Sequence, residues 1–253
     1  MRIHIIACRV LTRELSFYAS FSPHIVDITW LPQGLHDTPG RLRDMLAATL
    51  ADLEQQWDSG LIKHRPDAVA LGYGLCSNGV VGLQAGSQPL IIPRTDDCTA
   101  LFLGSQERYL DEFRRHSGTY WLNNGWMETS FVPMPSYLEE RRVAYAQKYG
   151  EDNADFLLAE DLRWVRNYSY CGYIRSPVIE FDEYPRTAAK VAEENGWDFF
   201  SLDGDCRLLK KLTQGRWDDQ EFLVCPPGWR VEAAYDGTKM RAVPPVGRKD
   251  AEG

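Results

Sequence analysis

Short apolar runs that end in glycine, proline or cysteine recur through the first hundred residues. Arg2-Ile3-His4-Ile5-Ile6-Ala7 runs into Cys8, and Ala68-Val69-Ala70-Leu71-Gly72 leads through Tyr73-Gly74-Leu75 to Cys76. Pro89-Leu90-Ile91-Ile92-Pro93 leads in the same way to Cys98. Runs this short, with little polar alternation, predict strands buried on both faces. Ile25-Val26-Asp27-Ile28-Thr29-Trp30 alternates and predicts another strand. Leu42, Leu46, Leu50 and Leu53 recur at helical spacing, which predicts a helix over residues 41–57, and 10–18 predicts a shorter one. Strand-helix-strand alternation of this kind is the pattern of a parallel sheet. Parallel strands place their carboxyl ends on one edge, where open α/β folds hold their ligands. Cys8, Cys76 and Cys98 are therefore expected to converge on that edge.

Residues 78–83 are too rich in glycine for a strong helix, yet they begin where a helix N-terminus would face a ligand. That makes Gly74 and Asn78 candidate cofactor-binding positions. Residues 107–113 predict a helix, 118–122 a strand, and Asn123-Asn124-Gly125-Trp126 a turn. The character of the chain changes near Pro133-Met134-Pro135, after which 137–149 and 153–164 predict a helical pair, either a cap over the sheet or a dimer contact. Alternation then returns, with helices over 184–195 and 207–212, strands over 197–202 and 221–225, and 229–235 pairing back as a hairpin. The pattern as a whole predicts a three-layer α/β domain with a mainly parallel sheet and a helical middle segment. Residues 1–132 would carry the cysteine site, 133–170 a helical insertion or cap, and 171–243 a second α/β part completing the same domain. The tail from 244 to 253 is expected to be disordered.

Composition narrows the function more than the fold. A chain of 253 residues is long enough to bury a large core, and its formal net charge of -8 disfavours a nucleic-acid partner. No apolar run approaches the 18 or so residues that a membrane-spanning helix needs, and the apolar stretch at the N-terminus is too short for a signal peptide. A cytoplasmic protein acting on a small molecule, with a homo-oligomer permitted, is the reading that remains. Six cysteines at long, irregular spacings in a reducing compartment point to free thiols or metal ligands rather than disulfides.

A thiol acts as nucleophile or ligand only as thiolate, and a strand end facing helix N-termini is expected to lower its pKa. Three thiolates in a small space repel one another unless a cation or a cluster lies between them. Cys8, Cys76 and Cys98 are therefore the expected metal ligands, and either zinc with an open position or an iron-sulfur cluster suits three sulfurs. His36, in a loop after the second strand, together with Arg94 and Asp97, would act on the substrate. Arg94 would hold a carboxylate or phosphate, or alternatively pair with Asp96 or Asp97. Cys171, Cys206 and Cys225 read as small buried hydrophobes. Gly72 and Gly74 with Gly79 miss the dinucleotide spacing, which argues against a nucleotide cofactor. Two other classes stay open: a metal-free enzyme with a cysteine nucleophile, and an accessory protein that docks a methyltransferase.

Several of these residues together resemble one family. Ala7-Cys8, Leu31-Pro32 with Leu35-His36-Asp37 and Pro39, Tyr73-Gly74-Leu75-Cys76, and Pro93-Arg94 with Asp97-Cys98 resemble the domain of unknown function 1638. Gly118-Thr119-Tyr120-Trp121-Leu122, Gly204-Asp205 and Phe222 to Gly228 extend the resemblance over most of the chain. The chain departs from the family pattern in Cys8-Arg9 and Cys76-Ser77, where Cys-Gly is expected, and in Asp96, where histidine is expected. The resemblance implies a bacterial or archaeal cytoplasmic protein found beside corrinoid-dependent methyltransferases. It thus implies methyl or one-carbon transfer, with corrinoid present only through a partner protein.

Overall fold

The computed structural model describes residues 1–130 and 132–245. In chain order the strands are β1 (Arg2–Cys8), β2 (Ile25–Leu31), β3 (Ala68–Gly72), β4 (Leu90–Pro93), β5 (Thr119–Leu122), β6 (Tyr170–Arg175), β7 (Asp198–Asp203), β8 (Phe222–Cys225), β9 (Arg230–Ala233) and β10 (Met240–Val243). The helices are α1 (Thr12–Ser20), α2 (Pro39–Asp58), α3 (Cys98–Leu103), α4 (Gln106–Arg115), α5 (Asn124–Thr129), α6 (Pro135–Tyr149), α7 (Glu151–Asp161), α8 (Glu183–Asn195) and α9 (Arg207–Thr213). The result is a three-layer α/β fold with a mainly parallel sheet. Contacts divide the chain into two compact units, one made of 1–108 with 205 onward and the other of 109–204.

In the first unit the strand order is β2-β1-β3-β4-β8, and only the β4–β8 pairing is antiparallel. Every residue of β3 and β4 is buried, as runs without polar alternation require at the centre of a parallel sheet. The α2 stripe is buried along Leu42, Leu46, Leu50, Leu53 and Trp57, and Trp57 meets His4 of β1 edge-on with ring centroids 5.9 Å apart. Helix α1 packs against α9, and α9 against α3, forming a second helical layer. The β9–β10 hairpin completes the unit. Gly104 ends α3 in the left-handed conformation at φ +78°, and a Cβ there would lie 2.0 Å from the Asp205 carbonyl oxygen. Glycine is the residue that permits both the backbone angle and the approach.

In the second unit β5, β6 and β7 form their own parallel sheet in that order. Helix α8 lies against β6 and β7, and the core gathers Leu122, Cys171, Tyr173, Ala188, Val191, Ala192 and Trp197. Tyr120, Trp164, Tyr168 and Trp197 form a ring cluster with centroids 5.4 to 5.7 Å apart.

The observed division differs from boundaries drawn on composition at 132/133 and 170/171. It falls at 108/109, inside α4, and at 204/205, because β5, β6 and β7 hydrogen-bond to one another. Residues 171–204 therefore belong with the helical pair α6–α7, not with the strands of the cysteine site. Two local readings also change. Asn123 is the cap of α5, its side chain accepting from the Trp126 amide at 2.9 Å, and 78–82 form turns rather than the start of a helix. The expected disordered tail lies, from 246 onward, outside the described residues.

Candidate functional site

The carboxyl edge of the β1-β3-β4 sheet gathers the three cysteines. Cys8 is the last residue of β1 and is 5% exposed, and Cys98 opens α3 directly after Asp97. Cys76 follows β3 in a segment that runs beside the end of β4. The Leu75 amide donates to the Thr95 carbonyl and the Cys76 amide to the Asp96 carbonyl, both at 2.7 Å. All six cysteines of the chain carry free thiols, and Cys8, Cys76 and Cys98 are close enough to act on one another electrostatically.

Cys76, Ser77 and Asn78 all adopt positive φ, at 46°, 55° and 66°. Three successive non-glycine residues in the left-handed region cost energy, because Cβ crowds the following carbonyl, so the surrounding contacts must hold them there. One is the bond from the Gly79 amide to the Cys76 carbonyl at 2.9 Å. Another is the contact of Gly79 with α2, where a Cβ would meet Leu42 Cδ2 at 2.5 Å. Gly74 has a packing role of its own. A Cβ there would lie 2.4 Å from Thr95 Oγ1 and 2.6 Å from the Thr95 carbonyl oxygen, so the glycine lets two backbone segments touch. Asn78 is exposed, and its carbonyl accepts from the Val81 amide at 3.1 Å.

The electrostatics reverse the expectation of lowered thiol pKa values. Burial pushes the Cys8 thiol up, and burial followed by the nearby Asp97 carboxylate pushes Cys76 and Cys98 up. Helix α3 is only six residues long, and its N-terminus is already capped by Asp97, whose side chain accepts from the Thr99 amide at 2.8 Å. Desolvation and a like charge outweigh so short a dipole. Both effects favour the neutral thiols.

Tyr73 and Thr95 complete the site. The Tyr73 hydroxyl is buried and faces the Cys8 sulfur, to which it hydrogen-bonds. Its pKa is driven far up by burial, then by Cys8, Cys76 and Cys98. Thr95 Oγ1 is buried and unpartnered. Buried hydroxyls are normally satisfied, so the Thr95 hydroxyl is a polar position still able to take a hydrogen bond. The sequence holds one signal for Tyr73, an aromatic between two glycines at a strand end, and none for Thr95.

Two expected residues are placed elsewhere. The Arg94 guanidinium is engaged by backbone carbonyls from the end of the chain. It donates through Nε to the carbonyls of Asp219 at 2.9 Å and Phe222 at 3.3 Å, and through Nη1 to those of Thr238 at 2.7 Å and Met240. Asp96 instead accepts from Gln106 and pairs with Lys239. Arg94→Ala is therefore expected to lower stability by about 2 kcal/mol or more, since bonds from a charged donor are lost together. A urea midpoint checks this, and the thiol site should respond to reagents unchanged. His36 is part-exposed and its side chain lies 3.3 Å from the Asp37 carboxylate. Asp97 is brought to the thiols as expected.

As they stand, no group of three or more His, Cys, Asp or Glu side chains among the described residues is arranged to hold a metal ion. A cavity of about 520 Å³ lies elsewhere in the same unit, between α2 and residues 82–88, and none of the cysteines lines it.

Residues 30–213 match the model of a family described as Protein of unknown function (DUF1638). The chain belongs to this family. The matched DUF1638 region contains Tyr73, Cys76, Thr95, Asp97 and Cys98, whereas Cys8 precedes it. No curated protein and no solved structure matches the chain. Among the described residues, no helix is long and apolar enough to cross a membrane.

Proposed function

We propose that this DUF1638 chain is a cytoplasmic thiol-site protein in which Cys8, Cys76 and Cys98 bind one soft metal centre, zinc or iron-sulfur, and that it acts on a small molecule in methyl or one-carbon transfer. The observation that carries the reading is the convergence of three free thiols beside Tyr73, which hydrogen-bonds Cys8, and beside the buried, unpartnered hydroxyl of Thr95. Neutral thiols are no obstacle, because a metal displaces their protons on binding. The thiols must close up to receive it, since the present arrangement is not a finished ligand set. A bound zinc would supply a Lewis acid, and a cluster with one open iron would supply a substrate position. The reaction class, and a corrinoid protein or methyltransferase as partner, rest on what the family resemblance implies.

The open ligand arrangement favours a second reading, a metal-free thiol enzyme. Its difficulty is electrostatic: burial holds all three thiols protonated, and the nucleophile is the thiolate. Elemental analysis and an absorption spectrum, on untagged protein purified without oxygen, separate the two. One equivalent of zinc, or iron with sulfide, that disappears in Cys76→Ser supports the metal centre. Metal-free protein with three titratable thiols at the site overturns it and leaves the thiol enzyme.

A further inference from the structure

The second unit has a carboxyl edge of its own, and a cavity of about 160 Å³ opens there. Asn124 lies just past β5, while Arg175 ends β6 and Ser176 follows it. At about 30 Å³ per water the space suits roughly five waters, or a ligand of about six heavy atoms.

Its walls are fixed. The Tyr173 hydroxyl donates to Asn124 Oδ1 at 2.6 Å, and Asn124 Nδ2 donates to the Ile179 carbonyl at 2.9 Å, which ties the loop after β6 to the end of β5. Arg175 is oriented from β7, with Nε and Nη2 on Asp203 Oδ1 at 2.8 and 2.7 Å and Nη1 on Ser201 Oγ at 2.8 Å. A guanidinium has five N–H donors, so two remain for a ligand. Ser176 Oγ accepts long bonds from the Val178 and Ile179 amides at 3.3 and 3.5 Å and keeps its proton to donate. On the rim, Glu180 and Asp182 are exposed and form no ion pair among the described residues. Phe181 and Pro185 supply an apolar wall.

This lining carries donors for an anion and carboxylates for a cation within the reach of one small molecule. A simple anion would meet Glu180 and Asp182 as like charges, and a simple amine would leave the Arg175 donors unused. We propose that the unit binds a short α-amino acid as its zwitterion, with the carboxylate on Arg175 and Ser176 and the ammonium toward Glu180 and Asp182. The site is independent of the thiol reading, because every residue in it belongs to 109–204.

Calorimetric titration of the full chain with L-alanine, propionate and ethylamine tests this, the last two being alanine without its ammonium and without its carboxylate. Alanine should bind at least about tenfold more tightly than either, and Arg175→Gln should weaken it by about tenfold or more, the loss typical of a charge-assisted bond. The double variant Glu180→Gln with Asp182→Asn changes only exposed side chains, so it keeps the test available if the arginine variant does not fold. It should weaken alanine and leave propionate no weaker. No alanine binding, propionate binding as tight as alanine, or alanine binding that neither variant alters would each overturn the proposal.

Discussion

Gly104→Ala is expected to destabilise the first unit by about 3 kcal/mol or more, one of the largest single-methyl effects in the chain. Two costs add. The left-handed backbone at φ +78° carries a penalty of about 1–2 kcal/mol for a residue with a Cβ, and overpacking a closed contact typically adds about 1–3 kcal/mol. The new methyl would sit 2.0 Å from the Asp205 carbonyl oxygen, and the Asp205 amide donates to the Phe102 carbonyl at 2.8 Å. Relief by moving residue 205 therefore breaks a bond to α3, in which Thr99 to Leu103 are all buried. Gly196→Ala is the internal control. Its backbone is left-handed as well, at φ +70° and ψ 29°, but no atom lies within 4 Å of the added carbon, so only the conformational part, about 1–2 kcal/mol, should appear. Urea midpoints of the two variants measure the difference, and equal losses would show that the Asp205 contact is slack.

Metal uptake by the wild-type chain should steepen sharply with pH. Burial raises the Cys8, Cys76 and Cys98 thiols above their ordinary value, so all three are protonated through the neutral range and each must release its proton to bind. Linkage gives one decade of apparent affinity per proton per pH unit, so the constant should rise about a thousandfold between about pH 6 and 7. The sign follows from the direction of the shift, since raised thiols favour the protonated, metal-free form and alkali favours the bound one. Chelator competition at several pH values, corrected for the chelator's own protons, gives the slope. Cys76→Ser should lower it to about a hundredfold. A wild-type slope near tenfold would mean that one thiol, not three, meets the metal.

Much of the first unit was readable before any coordinates. The unbroken apolar runs of β1, β3 and β4 and the leucine stripe of α2 are local signals, and they place the three cysteines on one edge because parallel strands share a direction. Strand β6 was not readable. Tyr170-Cys171-Gly172-Tyr173-Ile174-Arg175 has a glycine at its centre, normally a strand breaker, yet here a Cβ would meet Trp121 and Phe200 at 2.7 and 2.8 Å. The glycine makes room for two rings from neighbouring strands, which no local pattern reveals. The same holds for Arg94, whose acceptors lie more than 120 positions further along the chain. Thiol acidity was misread for a related reason: the length of α3 and the depth of burial decide it, and neither is encoded at the cysteines themselves.

The β4–β8 pairing also sets an order of events during synthesis. Strand β4 ends at Pro93 and its partner begins at Phe222, roughly 130 residues later. At about 5–20 residues per second the nascent chain waits roughly 6 to 26 s for that partner. The carbonyls that hold Arg94 come from residues 219 to 240 and appear at about the same time or later, whereas residues 109–204 emerge complete in the meantime. For that interval the thiol-bearing sheet has an open edge, the kind of surface that recruits stray strands and chaperones. The last forty residues of the described chain thus act as the closing seam of a unit whose chemistry was laid down in its first hundred.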